Sequence, residues 1–330
     1  MKYSLVTLIT LSSAVYIKRD SCASLHQQCG GKEFNGTPCC QPGLLCVVAN
    51  EGYSQCREST APNNTVNITP KQEESQETVP KQLDQPAGNC NTGRVLWNSD
   101  FTKPFNSENE WEYDTSNYNG EKQIYVPADQ AGTYIKTENN NLIVSASRDS
   151  TGQWKAARAV LKHGWGINYR AEVTVKMNKA VPGAFPAVWM LPTIDRKHPD
   201  GVWPLEGEID IFEYQSDFIG SPTPQSFHFG ERNGGNALSF RNCPINTETY
   251  NTLAVESTET SIRFFCNGQP NGVYNKPANA TQFNWPYNGK YEFGFILNYA
   301  IEPAFVQNKV PSGVDFLAMS ISSLKVQECF

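Results

Sequence analysis

Three carboxylates stand close together in an otherwise apolar stretch of this 330-residue chain. They are Glu208, Asp210 and Glu213, in the run EIDIFE, whose isoleucines and phenylalanine favour a buried β-strand. Residues two positions apart share a face of a strand, so Glu208 and Asp210 point the same way. Glu213 stands at an odd offset, and one inserted residue, a β-bulge, would return it to that face. The sequence therefore predicts that all three carboxylates face one cleft.

Such a cluster suits acid–base chemistry. Neighbouring carboxylates repel one another unless one of them holds a proton, and the resulting difference in pKa supplies an acid and a base. A glycosidase that retains anomeric configuration needs two carboxylates about 5–5.5 Å apart. The alternative is a solvated acidic edge strand, but edge strands more often carry lysine, and this run has an apolar opposite face.

Further segments, in matching order, resemble glycoside hydrolase family 16 in its laminarinase-like form, which carries a bulged E-x-D-x-x-E signature. These segments are NGEKQIY at 119–125, GAFPAVWMLP at 183–192, FHF at 227–229 and SIRFFCNG at 261–268. The resemblance covers about residues 90–330. It implies that Glu208 is the nucleophile and Glu213 the acid/base, and that Asp210 orients the nucleophile. The neighbouring negative charge should then raise the pKa of Glu213.

The same resemblance implies a set of sugar-contacting residues around the carboxylates. They are Trp203, His228, Trp189, Phe185, Arg158 and Asn119. Aromatic rings suit this role because sugars present apolar C–H faces, although packing in the core is the alternative for each of them. The chain departs from the family at residues 301–303, where Ile-Glu-Pro replaces Val-Gly-Gly, and at 256–258, where Glu-Ser-Thr replaces Glu-Trp-Thr. The preferred linkage therefore stays open.

No metal or cofactor is predicted. The four histidines lack metal-ligand spacing, which argues against zinc. Some family members hold a structural calcium ion, but no ligand set for one can be read from this sequence.

Short strand-like runs separated by Gly, Pro and Asn begin near Cys90, and no amphipathic helix of three turns is evident. This pattern predicts an all-β sandwich, which the resemblance sharpens to a concanavalin-like β-jelly roll with a concave binding face. Cys90 and Cys329 bracket residues 90–330, so we expect a disulfide between them. Cys243 and Cys266 are the remaining pair in this part of the chain.

The first 19 residues are typical of a secretory signal followed by a dibasic processing site. Lys18-Arg19 would place the mature start near Asp20, the alternative being two surface charges. Residues 58–89 are rich in Pro, Gln, Glu, Thr and Asn, which indicates a flexible linker. Ten cysteines favour an oxidising compartment, so the protein is expected to be secreted, outside the cell or in the cell wall.

Residues 20–57 form a cysteine-rich module too small for its own hydrophobic core, and their six cysteines allow fifteen pairings. The segment resembles a fungal cellulose-binding domain, carbohydrate-binding module family 1. That resemblance implies the disulfides Cys29–Cys46, Cys40–Cys56 and Cys22–Cys39. It also implies a binding surface formed by Tyr53, Gln55, Asn50 and His26. Two positions of this segment that usually hold aromatic residues in the family are occupied here by His26 and Gly52. Weak binding of glucan or chitin and a spacer role both stay open.

The formal net charge of −6 and the absence of a basic stripe argue against a nucleic-acid partner. No apolar run is long enough to span a bilayer. The expected partner is a polysaccharide, bound by a monomeric enzyme. Three hypotheses remain: a retaining endo-β-glucanase acting on β-1,3-glucan or mixed β-1,3/1,4-glucan, a cell-wall transglycosylase of the same fold, and a non-catalytic glucan-binding protein.

Overall fold

The computed structural model describes residues 28–30, 44–50, 53–58, 90–99, 101–193, 203–215, 223–230, 236–241 and 244–330. The chain divides into two compact units, residues 1–83 and 84–330. The predicted signal peptide and propeptide, and residues 59–89 of the predicted linker, lie outside the described residues. The domain boundaries drawn from the sequence stay predictions.

The first unit contains a three-stranded antiparallel sheet in the order β1-β3-β2. Its strands are β1 Gln28–Gly30, β2 Leu44–Asn50 and β3 Tyr53–Glu58. Cys29 and Cys56 are buried and disulfide-bonded, as expected for a module too small to be held by a hydrophobic core. The predicted partner of Cys29 is Cys46 and that of Cys56 is Cys40, and the side chains of both lie outside the described set. The third predicted pair, Cys22 with Cys39, also lies outside it.

The second unit is built almost wholly from strands. Those described are β4 Thr92–Asn98, β5 Trp111–Tyr113, β6 Ile124–Tyr125, β7 Ile135–Glu138, β8 Asn141–Arg148, β9 Trp154–Ala156, β10 Arg158–Leu161, β11 Tyr169–Met177, β12 Ala184–Pro192, β13 Glu208–Glu213, β14 Gln225–Phe229, β15 Asn236–Phe240, β16 Asn251–Ser257, β17 Ser261–Cys266, β18 Gln269–Asn275, β19 Phe293–Ile301 and β20 Phe316–Cys329. The single helix in the described part, α1, covers Ala128–Ala131. Within the described ranges, no helix has the length and apolar character needed to cross a membrane.

These strands form two sheets that pack face to face. One has seven strands in the order β15-β14-β13-β12-β19-β10-β5. The other has ten, with the path β18-β17-β16-β11-β20-β8-β9-β6, β4 beside β20 and β7 beside β8. All described pairings within them are antiparallel except β6 with β9. The predicted all-β sandwich is therefore confirmed.

Burial along the strands distinguishes the two sheets. In β11 of the ten-stranded sheet, buried and half-buried residues alternate, because one face meets the core and the other faces outward. In β19 of the seven-stranded sheet every residue is buried. Its odd members, such as Phe295 and Leu297, join the core, whereas Asn298 lines a cleft on the opposite face. The face of the seven-stranded sheet that points away from the core is therefore also largely shielded from solvent, and it forms the floor of the cleft.

A disulfide joins the two ends of this unit. Cys90 and Cys329 are bonded, with a sequence separation of 239 residues and Cα atoms 4.9 Å apart. This confirms the bridge expected from their positions. Cys266 is also disulfide-bonded, but its predicted partner, Cys243, lies outside the described residues.

Candidate active site

The carboxylate strand β13 lies between β14 and β12 in the seven-stranded sheet and carries a bulge. Asp210 and Phe212 pair with consecutive residues of β12, so Ile211 is the extra residue. Ile211 and Phe212 both lie in the hydrophobic core, at 0% and 1% exposure. Two successive inward residues reverse the alternation, and Glu213 consequently lines the same cleft as Glu208. The predicted bulge is confirmed.

The three acids are not equally deep. Glu208 and Glu213 line the cleft, whereas Asp210 is only 1% exposed. Asp210 Oδ2 lies 3.0 Å from Nε2 of His228 on the neighbouring strand β14. Glu208 lies opposite His228 in the strand register, and its Oε1 is 3.7 Å from the same nitrogen. The imidazole therefore stands between the two carboxylates.

Residues that precede and underlie β13 fix the position of Glu208. The indole Nε1 of Trp203 donates a hydrogen bond of 2.8 Å to Glu208 Oε2. The buried hydroxyl of Tyr287 donates to the backbone oxygens of both Glu208 and His228. Gly207 has φ +88°, and a Cβ there would lie 2.9 Å from Tyr287 Cε1, so only glycine lets the chain enter the strand this close to the tyrosine.

Burial and like charge shape the electrostatics of the cluster. Burial, followed by the negative charge of Asp210, raises the pKa of Glu213 well above its usual range. The same two causes raise the pKa of Glu208 to about 8, opposed by the His228 cation and the Trp203 hydrogen bond. The sequence predicted the direction for Glu213 but attributed it to neighbouring charge, whereas burial is the larger cause.

The pKa of His228 is raised, although burial alone would lower it. Burial lowers its pKa, but the carboxylates of Glu208 and Asp210 outweigh that effect and raise the pKa to about 10. The neighbouring carboxylates therefore favour the imidazolium form of His228, whose positive charge offsets negative charge in the cluster. Glu208, Asp210 and His228 also offer donor atoms within 4.8 Å of one another. Metal ligation needs a neutral imidazole, so we interpret the trio as hydrogen-bonded, and the prediction of no metal stays a prediction.

Aromatic side chains wall the cleft, which has a volume of about 590 Å³. Trp203 is 37% exposed and packs near His228, with ring centroids 5.6 Å apart. Trp189 lies on the floor, where its indole donates to Asn298 Oδ1 at 2.8 Å. Phe185 also lines the cleft, although it is only 8% exposed. All three aromatic residues predicted at the cleft lie there, and their contact with sugar stays a prediction.

Arg158 and Asn119 also line the cleft, but the structure gives Arg158 a different environment from the one predicted. Its side chain is 3% exposed and forms ion pairs with Asp114 at 3.2 Å and Glu121 at 3.3 Å. It also lies over the ring of Tyr125, at 4.2 Å. The guanidinium therefore holds residues 114–121 against β10, and this role is visible only in the structure.

Sequence reasoning missed several cleft residues. They are Tyr118, Phe305, Gln215, Ser226, Ser239 and Arg241. Phe305 follows the segment in which the chain departs from the family pattern, and that departure was the one signal in the sequence. Gln55 of the predicted carbohydrate-binding surface is half-buried on β3, whereas the side chains of Tyr53, Asn50 and His26 lie outside the described set.

Both parts of the chain are similar to known proteins. Residues 25–53 match the fungal cellulose binding domain. A glucan endo-1,3-beta-glucosidase of Cryptopygus antarcticus is 25% identical over 242 residues, which cover 64% of this chain and 83% of that protein. Solved structures of similar fold include the laminarinase from Flavobacterium sp. UMI-01, with a TM-score of 0.60, 24% identity, and coverage of 71% of this chain and 100% of that one. The resemblance to glycoside hydrolase family 16 is confirmed.

Two further comparisons show how the similarity is distributed. SCLam, a non-specific endo-beta-1,3(4)-glucanase from family GH16, has a TM-score of 0.60 and 20% identity, covering 73% of this chain and 96% of that chain. Exoglucanase 2 of Hypocrea jecorina is 42% identical over 59 residues, which cover 18% of this chain and only 12% of that protein. The second unit thus has the family 16 fold, and the cellulose-binding similarity covers a short separate segment.

Proposed function

We propose that this protein is a secreted, retaining endo-β-glucanase that hydrolyses β-1,3-glucan or mixed β-1,3/1,4-glucan. The observation that carries the proposal is the bulge in β13, which brings Glu208 and Glu213 to one cleft face. Two carboxylates on one strand face, of which Glu208 accepts a hydrogen bond from Trp203, offer the nucleophile and the acid that a retaining glycosidase needs. The similarity to a glucan endo-1,3-beta-glucosidase supports β-glucan as the substrate class.

In the first step Glu208 attacks the anomeric carbon of the sugar while Glu213 donates its proton to the departing glycosidic oxygen. The bond between that carbon and the oxygen breaks, and a glycosyl ester forms on Glu208. In the second step Glu213, now ionised, takes a proton from a water molecule that attacks the same carbon. The ester bond breaks, so Glu208 returns as a carboxylate and Glu213 is again protonated.

The surroundings of each carboxylate fit its role. Trp203 and His228 oppose the rise in the pKa of Glu208 that burial causes, and so they favour the ionised form that a nucleophile requires. Burial holds the proton on Glu213, as a general acid requires. Asp210 lies beneath Glu208 and bonds to His228 at 3.0 Å, so it positions the imidazole that stabilises the nucleophile. No cofactor is needed for this chemistry.

The cellulose-binding similarity supports action on an insoluble wall. A tethered module, even a weak one, raises the local concentration of the enzyme at a polysaccharide surface. We infer that residues 20–57 serve this role outside the cell, connected through residues 58–89, and that the protein acts as a monomer.

The decisive experiment measures reducing-end release from laminarin, lichenan, cellulose and chitin. We expect the wild type to cut laminarin or lichenan, and Glu208→Gln to abolish cutting. Glu259→Gln, which makes the same chemical change at an exposed residue that does not line the cleft, is the matched control. Cutting by Glu208→Gln at the wild-type rate would refute the proposal. Products longer than the substrate would instead favour a transglycosylase, and glucan binding without any reaction would favour a recognition protein.

A further inference from the structure

The loop formed by residues 302–310, here called the Phe305 loop, leaves β19 at the edge of the cleft. It begins with Glu302, whose φ is +47°. This left-handed backbone conformation is unfavourable for residues with a Cβ and is the usual reason for glycine. A glutamate held here is therefore expected to make contacts that offset the strain.

The side chain of Glu302 makes such contacts with the far end of the same loop. Its Oε1 accepts a hydrogen bond of 2.9 Å from the backbone N–H of Val310. Its Oε2 lies 3.2 Å from Lys309 Nζ, but the lysine side chain is 67% exposed and the glutamate only 14%. An exposed ion pair contributes little, so the charge-assisted bond to the amide is the main link. The carboxylate thus joins the first residue of the loop to the last.

Two other contacts hold the closed loop against the sandwich. Gly183 has φ +77°, and a Cβ there would lie 2.5 Å from the Val310 nitrogen. The missing side chain therefore lets the end of the loop approach β12. Gly183 O accepts from Glu302 N, and Asn119 O accepts from Ala304 N, each at 2.8 Å. The loop is consequently fixed at its start, its middle and its end.

The residue that the loop presents to the cleft is Phe305. Its ring is 48% exposed and lines the cleft. It meets the ring of Phe185 edge to face, with centroids 5.1 Å apart and planes at 78°. The next residue, Val306, is 3% exposed and packs with Phe185 and Ala300. One part of the Phe305 ring is thus anchored, and the remainder is open to a ligand in the cleft.

We propose that Glu302 is a positioning residue that closes the Phe305 loop and so holds the Phe305 ring in place as a contact for a glucose unit of the bound β-glucan. The inference rests on the proposed function, because it requires a sugar polymer in the cleft. Glu302 itself touches no reacting atom. Its effect is on binding of the polymer, while the carboxylates of β13 are untouched.

Three single variants, one double variant and one control variant test this. Glu302→Gly removes the carboxylate but suits the left-handed backbone, so the variant should fold; Glu302→Gln can still accept from the Val310 amide. We expect Glu302→Gly and Phe305→Ala each to raise KM for laminarin about three- to tenfold, the range for losing one aromatic contact. Their kcat should stay within about twofold of wild type, because the chemical step is unaffected. Glu302→Gln should restore most of the wild-type KM.

The double variant Glu302→Gly/Phe305→Ala decides whether the glutamate acts through the ring. If it does, the double variant has the same KM as Phe305→Ala alone. Multiplied effects in the double variant, or an unchanged KM in Glu302→Gly, would overturn the proposal. Lys309→Met is the control for the exposed ion pair, and we expect it to leave KM unchanged; a KM raised as much as in Glu302→Gly would assign the role to the lysine.

Hydrogen exchange at the Val310 amide provides a readout that does not depend on activity. We expect this amide to be protected in the wild type and in Glu302→Gln, and to exchange faster in Glu302→Gly. Equal exchange rates in all three proteins would show that the carboxylate does not close the loop. If the wild type cuts no β-glucan, the proposed function fails, but the exchange rates still decide whether Glu302 closes the loop.

Discussion

Replacing Glu208 by glutamine should abolish activity and at the same time stabilise the folded protein at neutral pH. The substitution preserves the size of the side chain, and its amide oxygen can still accept the hydrogen bond that Trp203 donates. It removes a carboxyl group whose pKa is raised from 4.5 to about 8, first by burial and then by Asp210. The folded protein therefore binds the Glu208 proton more tightly than the unfolded chain does.

The sign and size of the effect follow from that difference. The stability that Glu208 contributes through its raised pKa is fully present below pH 4.5 and is lost as the pH rises towards 8, because the carboxyl group ionises in the unfolded state before it ionises in the folded state. The loss is about 1.4 kcal/mol per pH unit, so it reaches about 3 kcal/mol at pH 7. Glutamine does not titrate, and the variant avoids this loss. For a unit that spans residues 84–330, the gain corresponds to a Tm increase of about 6–12 °C at pH 7.

The assay is thermal unfolding of wild type, Glu208→Gln and Glu259→Gln between pH 4 and pH 8, with disulfides intact. We expect the Tm of Glu208→Gln to match wild type near pH 4 and to exceed it by a growing margin as the pH rises. Glu259 is exposed, so its variant should follow the wild type throughout. A Tm difference that is constant with pH, or that shrinks as the pH rises, would refute the argument that burial holds a proton on Glu208.

Three further predictions concern the same fold. The pH profile of kcat/KM should be bell-shaped, with both limbs well above pH 4.5. Glu208 must be ionised and Glu213 protonated for the reaction, and the pKa values of both groups are raised. An optimum at pH 4–5 would contradict this. Tyr287→Phe removes a buried hydroxyl that donates to two backbone oxygens. The substitution should lower the free energy of unfolding by about 1–3 kcal/mol and reduce kcat in an activity assay. An unchanged kcat would show that the hydroxyl does not position Glu208. Replacing Cys90 and Cys329 by alanine removes a disulfide between residues 239 positions apart. A denaturant titration should show a destabilisation of about 2–5 kcal/mol, with activity at 25 °C retained. Equal unfolding midpoints for the wild type and the variant would contradict this prediction.

Part of the site could be predicted from the sequence because it depends on local periodicity. The two-residue repeat places Glu208 and Asp210 on one face, and the odd offset of Glu213 requires a bulge. The structure has that bulge at Ile211. The bridge between Cys90 and Cys329 was likewise predictable, because the two cysteines bracket the strand-rich segment.

The depth of each group was not predictable, because depth depends on which distant strands pack together. Asp210 and Glu208 share a face, yet Asp210 is 1% exposed and Glu208 lines the cleft. Burial is also the largest cause of the raised pKa values of Glu208 and Glu213. A strand pattern gives the direction of a side chain but not the thickness of protein above it.

Long-range partners were hidden for the same reason. Arg158 pairs with Asp114 and Glu121, which are 44 and 37 residues away in the sequence. In the sequence Glu302 is only a departure from a glycine of the family pattern, and its bond to Val310 forms only in the folded loop. The sequence by itself determined the sandwich, the bulge and the identity of the acids. Only the tertiary structure decided their burial, their charge states and the loop that presents Phe305, because these depend on contacts between residues that no local pattern connects.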